Sequence, residues 1–500
     1  MRPVRPYFVI ALVGVAVLAA TLGLTGTAGA QTSSGWTQFQ GDSAHLGSVA
    51  TGPAPGYRTG WAVGQETEGP RSAYGLSAPV IGDGVVVATG PTRVVAFDLA
   101  SGEAAWEIER VLGPSASPAI ARGPDGPIVV FTEGWGDGPP DASESPSPSA
   151  SVSASATPDG ASATEPTQPR LLAVPVGGGD PAWSVDLPAV SRSGVTIVGD
   201  LVIVPTIDGS VTAAELSTGQ VLWTADPGGF LETPAAEAGD LVLVSVRGDD
   251  DTRTGVVALS LTDGERAWRY EPQTGALSTG PPSVGDAAAY VALADGSVRA
   301  VSLDDGSELW RANLNAYVNP FSPASPPVVA DDAVLVADVR GQLYRLDAVT
   351  GDRIWDHAYN RPVLRSSPVV VEEHVVLVTS DGGVAAFELA TGDLVWEGSV
   401  AAPDGGPSVS PLRGLAVADD VIVVIRGGAD AGLAALVNDP EAALIREASP
   451  TILDPPALLL AWAAALAVAA ALFVVGRPLW VRLGPTEIPV EDDAEPQEDA

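Results

Sequence analysis

The chain has no cysteine and no lysine, one methionine and three histidines in 500 residues. Without cysteine there is no disulfide, no C-x-x-C-H haem attachment and no thiolate metal site. His45, His357 and His374 are far apart and lack ligand spacing, so surface or turn roles are expected for them. No G-x-S-x-G, H-E-x-x-H or phosphate-loop pattern occurs, and three scattered histidines supply no Ser/His/Asp set. The runs Gly177-Gly178-Gly179 and Gly405-Gly406 read as turns, because no helix pattern follows either. All 25 basic residues are arginine, against 62 carboxylates, for a net charge of -37. A chain so acidic repels nucleic acid and anionic lipid headgroups, which excludes the usual nucleic-acid and phosphate-binding classes. The acidity is spread along the chain, which reads as solubility or adaptation to salt, with a cationic partner as the alternative.

What the sequence does contain is repetition. An eleven-residue phrase with Gly at its seventh position and Trp at its eleventh occurs seven times, from AFDLASGEAAW at 96–106 to AFELATGDLVW at 386–396. From Trp183 the Trp residues are 40, 45, 42, 45 and 41 residues apart, a period that belongs to solenoids, propellers or arrays. Short Val-rich runs precede each phrase and are broken by turn pairs such as Asp208-Gly209, Asp295-Gly296 and Asp381-Gly382, the pattern of antiparallel strands. The phrase glycines Gly102, Gly179, Gly219, Gly264, Gly306, Gly351 and Gly392 fit a second turn of this kind. Each unit then holds four strands, one propeller blade.

Trp106 and Trp183 bracket one unit that carries a Pro/Ser/Ala-rich insertion at 139–170, too poor in apolar residues to build a core. Residues 408–438 supply strands of an eighth unit without its Trp: aligning Ala434 with the start of the phrase places Pro440 and Leu444 at the Gly and Trp positions. Trp61 lies 45 residues before Trp106, in register but without a unit of its own. The expected fold is therefore all-β: an eight-bladed β-propeller of four-stranded antiparallel blades over 36–437. Its last blade is closed by the strand around Trp61, which leaves no open ring edge.

The phrase resembles the A-x-D-x-x-T-G-x-x-x-W ending of blades in the PQQ-type (pyrroloquinoline quinone) β-propeller repeat family. The segment Trp36-Thr37-Gln38-Phe39-Gln40-Gly41-Asp42 is similar to that family's W-x-x-F-x-G-D lead-in. The resemblance implies that Trp61, Trp106, Trp183, Trp223, Trp268, Trp310, Trp355 and Trp396 dock between neighbouring blades. It also implies three kinds of role: quinoprotein alcohol or sugar dehydrogenase, BamB-like assembly lipoprotein, or extracellular sensor domain. The dehydrogenase reading, with pyrroloquinoline quinone and calcium, lacks the adjacent Cys pair of those enzymes and any assignable Asp base or calcium set.

At the N-terminus, Arg2 and Arg5 precede an apolar stretch from Phe8 to Leu24 and an Ala28-Gly29-Ala30 site, so a signal peptide over 1–30 cleaved after Ala30 is expected, an uncleaved anchor being the alternative. Residues 456–476 are uncharged and long enough to span a bilayer as a C-terminal transmembrane helix. Arg477 and Arg482 favour a cytoplasmic acidic tail over 477–500, and 438–455 reads as a stalk. The expected location is the cell membrane, single-pass, with the propeller extracytoplasmic. The acidic pairs Asp304-Asp305, Asp331-Asp332, Glu372-Glu373 and Asp419-Asp420 read as solvated turns. Asp249-Asp250-Asp251 lacks the spacing of a calcium loop. No catalytic, cofactor or metal residue is assigned. The expected function is a non-catalytic, monomeric scaffold that binds a protein or senses a ligand on a propeller face.

Overall fold

The computed structural model describes residues 35–64, 75–135, 168–248, 254–273, 280–286, 288–314, 326–363, 367–379, 382–399, 414–426, 432–442 and 444–445. The expected signal segment, transmembrane helix and acidic tail, most of the insertion, Asp381, Gly405-Gly406 and the Asp249–Asp251 run lie outside these residues. Among the described residues no helix is long and apolar enough to cross a membrane.

Eight sheets of four antiparallel strands form eight blades, and Ser48–Val49 adds a short parallel strand to the inner edge of the seventh. The first is built from Val80–Gly82, Val85–Thr89, Arg93–Asp98 and Ala104–Glu109, running from the propeller axis outward. Six further blades follow in chain order, the seventh ending at Leu394–Ser399. The eighth pairs Ala416–Ala418, Val421–Arg426 and Gly432–Asn438 with Tyr57–Gly64 from the other end of the chain. Trp61 stands opposite Ala435 in that pairing, so the two termini close the ring as expected from its register.

The two middle strands of each blade are buried on both faces, which is why they read as unbroken Val and Ala rather than as alternation; Val86, Val87 and Ala88 are fully covered. Outer strands alternate exposed and half-buried residues, as in Ala104–Glu109. Register slips recur between the third and outer strands immediately ahead of the Trp, at Ala96/Phe97, Ala213/Ala214, Ala258/Leu259, Ala300/Val301, Arg345/Leu346 and Ala386/Phe387. A bulge of this kind re-aims the side chains around it. It accounts for exposed apolar residues just before the Trp, Leu222, Leu309 and Ile354.

In the second blade, Gly126–Glu133 and Arg170–Pro175 are the strands on either side of the insertion, and Glu133 pairs directly with Arg170 where it begins. The Glu133 carboxylate binds the Arg170 guanidinium and accepts from the Val111 N–H at 2.9 Å, so the hairpin is clamped at its open end. Beside it Arg110, almost fully buried, donates to the carbonyls of Gly90 at 2.8 Å, Gly113 at 3.0 Å, Pro114 and Thr132. Burial lowers its pKa to about 10 against the opposing pull of Glu133, so it remains charged at neutral pH. Arg110→Met leaves these carbonyls without a donor and is expected to cost about 2–4 kcal/mol in denaturant unfolding; Glu107→Gln on the exposed surface serves as the near-neutral control.

Candidate binding faces and the sealed axis

Each phrase places its Trp against the next blade. The indole Nε1 donates to a carbonyl of that blade's outer turn: Trp61 to Leu99 (2.9 Å), Trp183 to Leu216 (2.9 Å), Trp223 to Leu261 (3.0 Å) and Trp268 to Leu303 (2.8 Å). Trp310 donates to Ala348 (2.9 Å), Trp355 to Leu389 (3.0 Å) and Trp106 to Val176. The indole thereby buries its ring while its one polar atom is satisfied. Under six of these rings lies the phrase glycine of the next blade, Gly102, Gly219, Gly264, Gly306, Gly351 or Gly392, with φ between 72° and 78°. A Cβ there would come within 2.5–2.8 Å of the ring.

Two positions differ from the phrase. Under Trp106 the contact falls on Gly178, while Gly179, the phrase glycine, has nothing within 4 Å of its Cβ direction. Three successive glycines before Asp180-Pro181 let that turn sit one residue out of step. Trp396 meets Tyr57 edge-on, with ring centroids 5.0 Å apart. The eighth blade has no turn at that place, because its third and outer strands come from opposite ends of the chain, and this is why Pro440 and Leu444 are neither Gly nor Trp. Residues 438–442 and 444–445, read from sequence as the start of a stalk, lie at the gap instead: Asp439 N–H donates to Gly56 at 2.6 Å and Ile445 N–H to Val395 at 2.8 Å.

The lead-in forms a collar around the axis. Trp36, Thr37, Ser43, Ala44, Leu46 and Gly47 offer carbonyls to the inner-strand N–H groups of Ile81, Ile120, Glu237, Val284, Val329 and Val370, one blade after another, at 2.7–2.9 Å. The third blade is reached by a side chain: Gln38 accepts from Ile197 N–H at 2.6 Å and donates back to its carbonyl at 3.0 Å. Seven inner edges that would otherwise be open are thus paired by one short segment. Trp36, Phe39 and Leu46 are buried in it.

His45 departs from the surface role expected of it: it is 1% exposed, packs edge-on against Phe39 and lies 3.3 Å from the Pro282 carbonyl. Burial lowers its pKa to about 4, and burial raises that of Asp42 to about 6, although Asp42 accepts from Leu46 and Ala44 N–H groups. Glu237, bonded to Ser43, adds to the rise at Asp42. The two residues pull stability in opposite directions. Between pH 4 and 6.5 the unfolded chain binds more protons at His45, so that contribution grows with pH; between about pH 4 and 6 the folded chain binds more at Asp42, so its contribution declines with pH. Relative to the parent, Asp42→Asn is expected to gain stability as pH rises through this window and His45→Gln to lose it. Each difference is on the order of 3 kcal/mol. Thermal midpoints at pH 4, 5 and 6 check both signs.

The two ends of the ring differ. At one end lie the turns joining first to second and third to outer strands, and these carry the predicted acidic pairs: Asp331-Asp332, Glu372-Glu373 and Asp419-Asp420 between first and second strands, Asp304-Asp305 before the outer strand. Asp98 and Asp347 in such turns are held below the usual carboxylate range by hydrogen bonds from Ser101 and Thr350. At the other end Phe230 is 41% exposed with the Arg247 guanidinium 5.1 Å above its ring. Arg247 binds Glu232 at 3.0 Å, and Arg192, stacked on Trp135 at 5.8 Å, reaches the same carboxylate at 3.8 Å. Sequence reading missed this group, whose members are brought together only by the adjacency of blades two to four. His357 lies on an outer strand with Phe387 5.2 Å away, and His374 begins a second strand, its pKa lowered by burial. Among the described residues no set of three His, Asp or Glu is arranged to hold a metal.

Eight Trp-docked blades around a closed ring define a PQQ-type repeat propeller. The family model described as outer membrane protein assembly factor BamB matches residues 169–317 and 294–439, and the chain belongs to that family. It is similar to BamB of Burkholderia pseudomallei, 30% identical over 33% of this chain and 42% of that protein, and to BamB of Nitrosomonas eutropha, 26% identical over 37% and 46%. The matches span less than half the length of these curated relatives. Among solved structures, BamB from Moraxella catarrhalis superposes with TM-score 0.51 at 16% identity, over 76% of this chain and 99% of that one. Quinohemoprotein alcohol dehydrogenase from Comamonas testosteroni superposes with TM-score 0.60 at 14% identity, over 83% and 82%. At these identities the superpositions speak for the fold alone.

Proposed function

We propose that this protein is a membrane-anchored, extracytoplasmic scaffold that binds a protein partner through an end face of the propeller, without catalysis and without a cofactor. The observation that carries this reading is the collar: around the axis, residues 36–47 pair the inner edges of seven blades and bury Trp36, Phe39 and Leu46 there. Recognition is thereby left to the two ends, where loops and turns project from a rigid ring. Phe230 with its stacked Arg247 has the aromatic and guanidinium character of binding hot spots. The curated relatives, named as assembly factors, support the same reading. Residues 456–476 supply the anchor, and the expected monomer presents one copy of each face.

A calcium-bound pyrroloquinoline quinone needs a flat slot and a set of free oxygen donors. Asp42, the collar's carboxylate, is already engaged: its Oδ1 accepts from Ala44 at 3.0 Å and Leu46 at 3.1 Å. Incubating the full-length protein with the quinone and calcium is expected to give no dye-linked oxidation of alcohols or sugars, and turnover would refute the scaffold reading. Protease added to intact cells is expected to cut the propeller while sparing the tail.

A further inference from the structure

Gln40, in the collar around the axis, has a buried amide that finds no partner among the described residues. Two residues earlier, Gln38 is fastened to Ile197 in the third blade. The Gln40 carbonyl accepts the Gly47 N–H at 3.0 Å, and the Gly47 carbonyl accepts Val370 N–H of the seventh blade at 2.9 Å. Gln40 therefore lies between walls four blades apart, which places it across the middle of the ring. Gln40 is 5% exposed, and among the described residues neither Nε2 nor Oε1 has a hydrogen-bond partner. Its backbone is left-handed, with φ 54°, a conformation that non-glycine residues hold only where the surroundings impose it.

The neighbouring polar groups are committed elsewhere. Asp42 serves the N–H groups of Ala44 and Leu46, Ser43 binds Glu237, and His45 faces the Pro282 carbonyl. An unpaired buried amide carries a desolvation cost that an apolar residue of the same size would remove. A Cβ built on Gly47 would meet Val328 Cγ2 at 2.9 Å and come within 3.4 Å of Gln40 Nε2, so the amide lies beside Gly47 and the sixth blade's inner strand.

We propose that Gln40 is the seat of an internal axial site for a small neutral molecule that offers an acceptor to Nε2 and a donor to Oε1, water being the smallest of this class. The collar, residues 36–49, contains no Arg or Lys to balance an anion, and its one carboxylate, Asp42, already accepts from the Ala44 and Leu46 N–H groups. Trp36, Phe39 and Leu46 of the same collar are buried apolar residues. The site rests on the collar geometry and stands whether or not a protein partner binds the ends.

The test is a high-resolution crystal structure of the full-length protein, with thermal midpoints of the parent and Gln40→Leu. The expected structure shows density within hydrogen-bond reach of both amide atoms, and Gln40→Leu melts a few degrees lower although it removes two unpaired polar atoms. A single-atom peak with unchanged mass by gentle native mass spectrometry identifies water. A larger peak with an added mass that Gln40→Leu loses identifies a retained solute. A bare amide, or a Gln40→Leu protein that melts higher than the parent, overturns the proposal; if Gln40→Leu does not fold, the density at the parent amide decides.

Discussion

Gly351→Ala is expected to destabilise the propeller by about 2–4 kcal/mol, made up of left-handed strain and steric overlap with the neighbouring blade. Gly351 has φ 74°, and its added methyl would lie 2.5 Å from Cε3 and 2.6 Å from Cδ2 of Trp310. Both atoms belong to a ring fixed by its hydrogen bond to Ala348, so the ring has no free direction of retreat. Gly84→Ala separates the two terms. Gly84 has φ 78° and nothing within 4 Å of its Cβ direction, so it carries the strain without the overlap. Gly84→Ala is expected to cost about 1 kcal/mol. Equal losses in the two variants would show that the Trp–Gly contact does not hold the blades together.

Removing the collar is expected to have the other large effect. A chain beginning at residue 53 keeps the closing strand Tyr57–Gly64 but loses every partner of the inner edges. The amides of Ile81, Ile120, Ile197, Glu237, Val284, Val329 and Val370 are then expected to lose hydrogen-exchange protection together, by at least ~10-fold, since each forfeits a buried hydrogen bond worth about 1–3 kcal/mol. Second and third strands, paired within their blades, should keep most of theirs. Loss confined to one or two blades would mean that the collar does not span the ring.

The blades were legible because their signal is periodic. A turn glycine and a docking Trp at fixed spacing survive in seven copies, and Trp61 declared itself by standing 45 residues ahead of the first. The eighth blade was legible for the same reason, although the sequence could not show that Asp439 and Ile445 bond across the place of its missing turn. The collar was not legible. Its pairing uses backbone carbonyls, which leave no mark on residue choice, and its contacts join Gln38 to Ile197 across 159 positions. Burial of His45 went unseen because it depends on that same threading. The Gly178 contact under Trp106 shows the limit of register: three consecutive glycines permit more than one turn, and only the ring position decides. Phe230 and Arg247 form a pair because blade order brings two loops together, a relation with no local motif.

The scaffold reading is tested most directly by photo-crosslinking the full-length protein in its native membrane, with the reactive residue placed in turn at Phe230 on one end of the ring and at Val349, 82% exposed, on the other. The account predicts a discrete adduct with one protein species from one end and none from the other. Absence of a discrete protein adduct from either end, in cells where the propeller is intact, would contradict it.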